Sequence, residues 1–192
     1  MSESLLRKSL LKNTPDSYGY IAIALHWVSA VALIALYFVG DYMVELSYYD
    51  TWYHRAPQIH KEVGVVVAFL MLSRLFWSAF QSSPAPLDKE AVKANKLAKF
   101  AHCLLYVFVF LMVISGYLIS TAKGQGIEVF GWFELPALLS NDSGRGELAG
   151  ETHELLGTAF MILVILHALA ALVHHFFFKD RTLKRMLWVK VD

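Results

Sequence analysis

The chain has 192 residues, of which 57% are hydrophobic and 17% charged, and its mean hydropathy is +0.48. A soluble domain carries about 25% charged residues, so this chain is short of polar surface, and its formal net charge of +1 gives no field that would draw nucleic acid. The single cysteine, Cys103, excludes an internal disulfide framework, a zinc site built on several thiolates, and the C-x-x-C-H that attaches a c-type haem.

A membrane span needs about 20 mostly apolar residues, and four stretches qualify. They run over about 18–40, 59–80, 100–120 and 153–178. In lipid the backbone must satisfy its own hydrogen bonds, so each reads as a helix. The first follows a polar tail, is too long for a signal-peptide core and has no clean cleavage site, so it reads as a retained span. The expected fold is an all-α, four-transmembrane-helix bundle forming one integral-membrane domain over 1–192.

Between spans two and three, SSPAPLDKEA (82–91) predicts a proline-bearing turn leading into a short basic amphipathic stretch. Residues 121–152 hold six glycines and are expected to be irregular, with room for an interfacial helix around VFGWFELPALL. Orientation follows from the flanking Lys and Arg. The N-terminal tail (Arg7, Lys8, Lys12), the second loop (Lys89, Lys93, Lys96, Lys99) and the C-terminal tail (Lys179, Arg181, Lys184, Arg185, Lys190) hold twelve. The other two loops, with Lys61 just inside span two, hold four: Arg55, Lys61, Lys123 and Arg145. Both termini are therefore expected to be cytoplasmic.

Eight histidines in so apolar a chain need a reason. An ionisable side chain inside a span is costly and usually functional. His153 and His167 lie fourteen residues apart on one span, about 3.9 turns and about 21 Å, hence on nearly one face at two depths. By depth, His60 pairs with His153 near the outer side, and His26 pairs with His167 nearer the cytoplasm. Two imidazoles facing across a bundle are the axial-ligand arrangement of a six-coordinate haem b. Two such pairs imply two b-type haems. Zinc or di-iron would want four or more ligands converging at one depth. A helical channel or metal transporter is the non-haem alternative, though it too would be expected to carry acids deep in its helices.

Other residues keep two readings. Gly64 and Gly157 each follow an outer histidine by four residues, one turn on the same face. Either a porphyrin lies against their backbone or neighbouring helices pack closely there; the repeated spacing tilts the choice toward haem. Arg74, fourteen residues after His60, either meets haem propionates or snorkels to headgroups. His102 and His174 are either a proton relay or quinone contact, or interfacial anchors; His175 is rotated off that face and interfacial. His54, beside Trp52 and Tyr53, reads as a surface residue.

His26-Trp27, His60-x-x-x-Gly64 with Ser73-Arg74, His102, His153-Glu154, His167-Ala168 and the ending HHFFFKD with Thr182-Leu183 and Arg185-Met186 resemble the prokaryotic cytochrome b561 family. The compact ending is closest to its stand-alone superoxide oxidase type. The resemblance covers about 18–188. It implies a multi-pass protein of the bacterial inner membrane holding two haem b, His26 and His167 on one and His60 and His153 on the other, and exchanging electrons with ubiquinone. It implies superoxide as the outer donor. A small anion wants a locally positive approach, for which Lys61, Lys123, Arg145 and His54 are the candidates, Lys61 foremost beside His60; His174, on the face of His167 near cytoplasmic water, is the candidate at the quinone end. The alternative is a relay between a redox partner protein and the quinone pool, without superoxide activity. The loop 121–152 departs from a superoxide-attracting surface, holding Lys123 and Arg145 against Glu128, Glu134, Asp142, Glu147 and Glu151.

Overall fold

The computed structural model describes residues 10–139 and 141–189; Arg7, Lys8 and Lys190 of the basic flanks lie outside them. Four helices are long and apolar enough to cross a membrane: α1 (Tyr20–Val44), α2 (Arg55–Ala79), α3 (Val92–Ser120) and α4 (Ser143–Phe176). Their lipid-compatible surface is plain from what stays uncovered. Val31, Phe38, Phe76, Phe100 and Ile114 are all more than half exposed. A water-soluble protein does not tolerate apolar area on that scale, and a bilayer covers it.

The ends of the helices follow local chemistry. The start of α1 leans on Gly19, whose amide donates to Asn13 Oδ1 and where a Cβ would run into the backbone of Leu11 and Lys12. After α1, Asp50 accepts from both the amide (2.8 Å) and the hydroxyl (2.7 Å) of Ser47, which closes a turn and holds its carboxyl below the usual range. Pro57 sits in the first turn of α2, where a missing N–H costs nothing. Ahead of α3, Asp88 Oδ1 accepts from the amides of Glu90 and Ala91. The basic stretch Lys93–Lys99 is thus the first turns of the α3 helix itself rather than a separate surface segment.

Two expectations for 121–152 are corrected. First, α4 begins at Ser143, ten residues before His153. Asp142 caps it by accepting from the Arg145 amide at 3.2 Å. Gly144, Gly146 and Gly150 therefore lie in helix, although each costs roughly 1 kcal/mol there relative to alanine. Gly146 has a packing reason: a Cβ would come within 2.7 Å of Ala122 Cβ. Second, the segment read as an interfacial helix is a β-hairpin. Strand β1 (Ile127–Val129) pairs antiparallel with β2 (Phe133–Leu135), Val129 opposite Phe133. The turn has Phe130 at φ 50° and Gly131 at φ 70°, closed by Trp132 N–H donating to Val129 O at 2.9 Å. Two successive positive φ values are the hairpin-compatible turn geometry.

The packing divides into two compact units, each taking a segment of every long helix. Among the described residues, unit 1 comprises 10–30, 70–103 and 164–189, and unit 2 comprises 31–69, 104–139 and 141–163. In unit 2 the hairpin buries Ile127 and Val129 against Val65, with Tyr117 and Leu135 at the margin. The Tyr117 hydroxyl donates to Pro136 O and accepts from the Leu138 amide, both at 2.8 Å. In unit 1 the segment after α4 is tied down: Trp27 Nε1 donates to Met186 O at 2.6 Å, and Arg185 Nη1 to Ala85 O at 2.8 Å.

Because Gly131 carries a left-handed φ that a β-branched residue resists, Gly131→Val should cost about 1–2 kcal/mol. A thermal melt of detergent-solubilised protein should show this as a lowered midpoint. An unchanged midpoint would mean that the hairpin contributes nothing to the stability of the fold.

Candidate functional site: paired histidines in two units

In unit 2, His60 from α2 and His153 from α4 face each other with ring centroids 6.2 Å apart and planes at 73°. Each ring lies close to the backbone of another helix. A Cβ added at Gly40 on α1 would stand 3.3 Å from His60 Cε1, and one added at Gly116 on α3 would stand 3.1 Å from His153 Cε1. These two glycines were missed in the sequence, where Gly64 and Gly157 drew attention instead. No described atom comes within 4 Å of a Cβ built at Gly64, so tight helix packing is not its reason. Gly157 is buried, and a Cβ built there would stand 3.5 Å from Met112 Cε, an ordinary packing distance. Ser115, also missed, places Oγ 2.9 Å from His153 Nδ1. His60 Nδ1 is buried without a well-formed hydrogen bond.

Unit 1 brings three histidines together. His26 and His167 have centroids 6.4 Å apart at 61°, while His102 and His167 are 5.3 Å apart at 68°. His102 thus stands beside His167. Arg74 reaches across to this group: its Nη2 donates to His26 Nδ1 at 2.8 Å. The guanidinium cannot accept a hydrogen bond, so Nδ1 of His26 is the acceptor here.

At the end of α4, His174 Nδ1 lies 2.5 Å from Asp180 Oδ2, and Asp180 Oδ1 accepts from the Thr182 amide at 2.8 Å. Partial burial pushes the Asp180 carboxyl up. The bonds from His174 and Thr182 outweigh it and hold the carboxyl below its ordinary value. The pair is therefore intact through neutral pH and is lost only in acid, as pH falls below the ordinary carboxyl value of 3.8 and through the depressed one. Asp180 was another residue that sequence reasoning passed over. His175 presents its ring to Phe176, with Nδ1 buried and unbonded. His54 packs between Tyr48 and Tyr53 on the surface. Lys61 is half-buried one residue from His60, Lys123 is exposed, and Arg145 is half-buried in the first turn of α4. Unit 1 also has an apolar groove lined by Leu25, Leu72, Ser73, Leu75, Phe76, Trp77 and Ala79.

The model of the prokaryotic cytochrome b561 family matches residues 17–188. The chain belongs to that family. It is 43% identical over 175 residues to cytochrome b561 homolog 2 of Escherichia coli K12, covering 91% of this chain and 93% of that one. It is 26% identical to a probable superoxide oxidase of Yersinia pestis, over 88% of this chain and 95% of that one. It is 28% identical to a cytochrome b562 of Cereibacter sphaeroides, over 88% and 94%. The protein is therefore a multi-pass membrane protein of a haem b electron-transfer family.

The residues fit such a group. A metal held by two imidazole nitrogens through bonds of about 2.0 Å, with about 1.1 Å from nitrogen to ring centre, needs centroids roughly 6.2 Å apart. The separations of 6.2 and 6.4 Å meet this, while the 5.3 Å of His102 and His167 is too short. Among the described residues, no three His, Cys, Asp or Glu side chains converge on a metal position, as zinc or di-iron would ask.

Gly116→Val should press on His153 and lower the haem recovered per chain, measured by pyridine haemochrome. Gly150→Ala is the control, because nothing lies within 4 Å of the added Cβ. Equal haem in both variants would show that the backbone approach at Gly116 is dispensable.

Proposed function

We infer that this protein is a di-haem b electron-transfer protein of the bacterial inner membrane that reduces ubiquinone with electrons from an outer donor. The observation that carries the reading is the recurrence, once in each unit, of a histidine pair at the separation of two axial ligands. His60 and His153 would hold one haem, and His26 and His167 the other. When bound, haem b supplies one-electron redox chemistry at a low-spin iron. The chain's contribution is to fix the imidazoles, keep water out and manage protons. Gly64, open beside His60, leaves the porphyrin room against backbone.

His26 can ligate through Nε2 only if it gives up its bond from Arg74 or loses its second proton, since Nδ1 now accepts. Arg74 released from His26 has its charge available for a propionate. Both termini and the loop between α2 and α3 are cytoplasmic in this reading, by the excess of Lys and Arg in those segments.

Quinone reduction consumes protons as well as electrons. An ionised Asp180 is acceptor-only, so His174 carries its proton on Nδ1 and exchanges through Nε2. That makes His174 the proton donor at the quinone end. The unit 1 groove offers apolar room for a lipid-soluble tail, with Trp77 Nε1 buried and unbonded along it.

Two outer donors are distinguishable. Superoxide is favoured by Lys61 beside His60 and by the name of the Yersinia pestis relative. Each superoxide would lose one electron and leave as dioxygen, and two electrons with two protons reduce one quinone. The charge of unit 2 speaks for a protein donor. Its Lys and Arg are Arg55, Lys61, Lys123 and Arg145, against ten Asp and Glu, a field that repels a small anion. We place the protein donor first.

Stopped-flow mixing tests both ends. Pre-reduced His174→Ala and Asp180→Asn proteins should be reoxidised by a ubiquinone analogue roughly 10²-fold more slowly, the scale of a lost general acid, with unchanged haem spectra. Unchanged reoxidation would remove His174 from the quinone end. With superoxide alone, the protein-donor reading expects no turnover. The superoxide reading expects turnover that slows in Lys61→Gln and loses its salt dependence.

A further inference from the structure

We propose that Ser115 is a positioning residue that fixes where His153 carries its proton, and through it sets the reduction midpoint of the haem held by His60 and His153. The inference rests on the reading of that pair as axial ligands.

The argument is a count of donors. Ser115 is 5% exposed on α3. Its Oγ lies 2.9 Å from Leu111 O, 3.1 Å from Met112 O and 2.9 Å from His153 Nδ1. Both carbonyls can only accept, and a serine has one proton to give. We give that proton to the backbone of the preceding turn, the ordinary bond of a helical serine, so that Oγ meets the imidazole with a lone pair. His153 Nδ1 must then be the donor. A neutral imidazole with its proton on Nδ1 has a free lone pair on Nε2, the form a metal requires. A Cβ at the neighbouring Gly116 would stand only 3.1 Å from Cε1 of the same ring, so the missing side chain leaves the ring its place. Ser115 and Gly116 thus fix both the tautomer and the place of one ring.

The facing ligand lacks this device. His60 has the matching glycine, Gly40, and the Leu36 backbone acts on its ring as the Met112 backbone acts on His153, but no side-chain hydroxyl meets its buried Nδ1. The two ligands of one site are therefore held unequally, and the inequality is one hydroxyl. A serine that merely bonds back to its own helix is common in membrane helices. Such a serine would have no business with the histidine, and its loss would leave the spectrum alone.

A hydrogen bond from Nδ1–H makes the imidazole a stronger electron donor, which favours the oxidised iron and lowers the midpoint. The experiment is a spectroscopic redox titration of the purified, haem-loaded full chain for wild type, Ser115→Ala, Ser115→Val and Ser115→Thr. Val and Thr have the same shape and differ in the hydroxyl. We expect Ala and Val to raise one midpoint, by about 59 mV for each tenfold change in the oxidised-to-reduced ratio. The other midpoint should stay, and Thr should match wild type. Haem lost in Ala and Val but kept in Thr supports the same role. Unchanged midpoints in Ala and Val, or a shift in Thr equal to theirs, overturns the proposal. If His153→Ala retains full haem, the ligand assignment itself falls, and this inference with it.

Discussion

A polar ring nitrogen inside a lipid-spanning helix is costly to leave unpartnered, because water is not there to meet it. This constraint organises the protein. His26 meets Arg74 and His153 meets Ser115, while at the helix end His174 meets Asp180. In each case one ring nitrogen is committed and the other is left to act. The committed partner also fixes the proton. Arg74 makes a nitrogen an acceptor, Ser115 and Asp180 make it a donor. On the reading proposed above, the same side chain serves as a ligand in one place and a proton donor in another.

The close approach of helix backbones to these rings is the second consequence. Gly40 and Gly116 sit where any side chain would press on an imidazole. Around them the long helices keep much of their apolar surface outward, so little of the chain's hydrophobicity is spent on packing protein against protein. The hairpin in unit 2 is the exception, burying Ile127 and Val129 against Val65.

The four helices were legible because length and hydropathy suffice for a span. The histidine pairs were legible because a fourteen-residue spacing returns to one helix face. What escaped was decided by neighbours distant in sequence. Gly116 and Ser115 look like ordinary small residues until His153, on another helix, is set against them. Gly64 and Gly157 shared a spacing from their histidines, yet a Cβ at Gly157 would meet Met112 while one at Gly64 would meet open space. The hairpin was hidden by strands of three residues, too short for a period of two to show, and by a Phe130 with positive φ that no propensity favours. The early start of α4 was hidden by glycines that a local scale counts against helix. Asp142 as cap and Ala122 as packing partner override them. Membership of the cytochrome b561 family carries the electron-transfer role. The donor is a finer matter, on which the acidic charge of unit 2 and the relative at 26% identity pull in different directions.

The central claim is that each unit holds one haem between two histidines. Haem quantitation on purified protein, repeated for His26→Ala, His60→Ala, His153→Ala and His167→Ala, tests it most directly. The account predicts two haem b per chain in the wild type, extractable with acid acetone. It predicts one missing midpoint shared by the His60 and His153 variants and a different one shared by His26 and His167. A single haem per chain, or a variant of one pair that loses the midpoint belonging to the other while keeping its own, would contradict it.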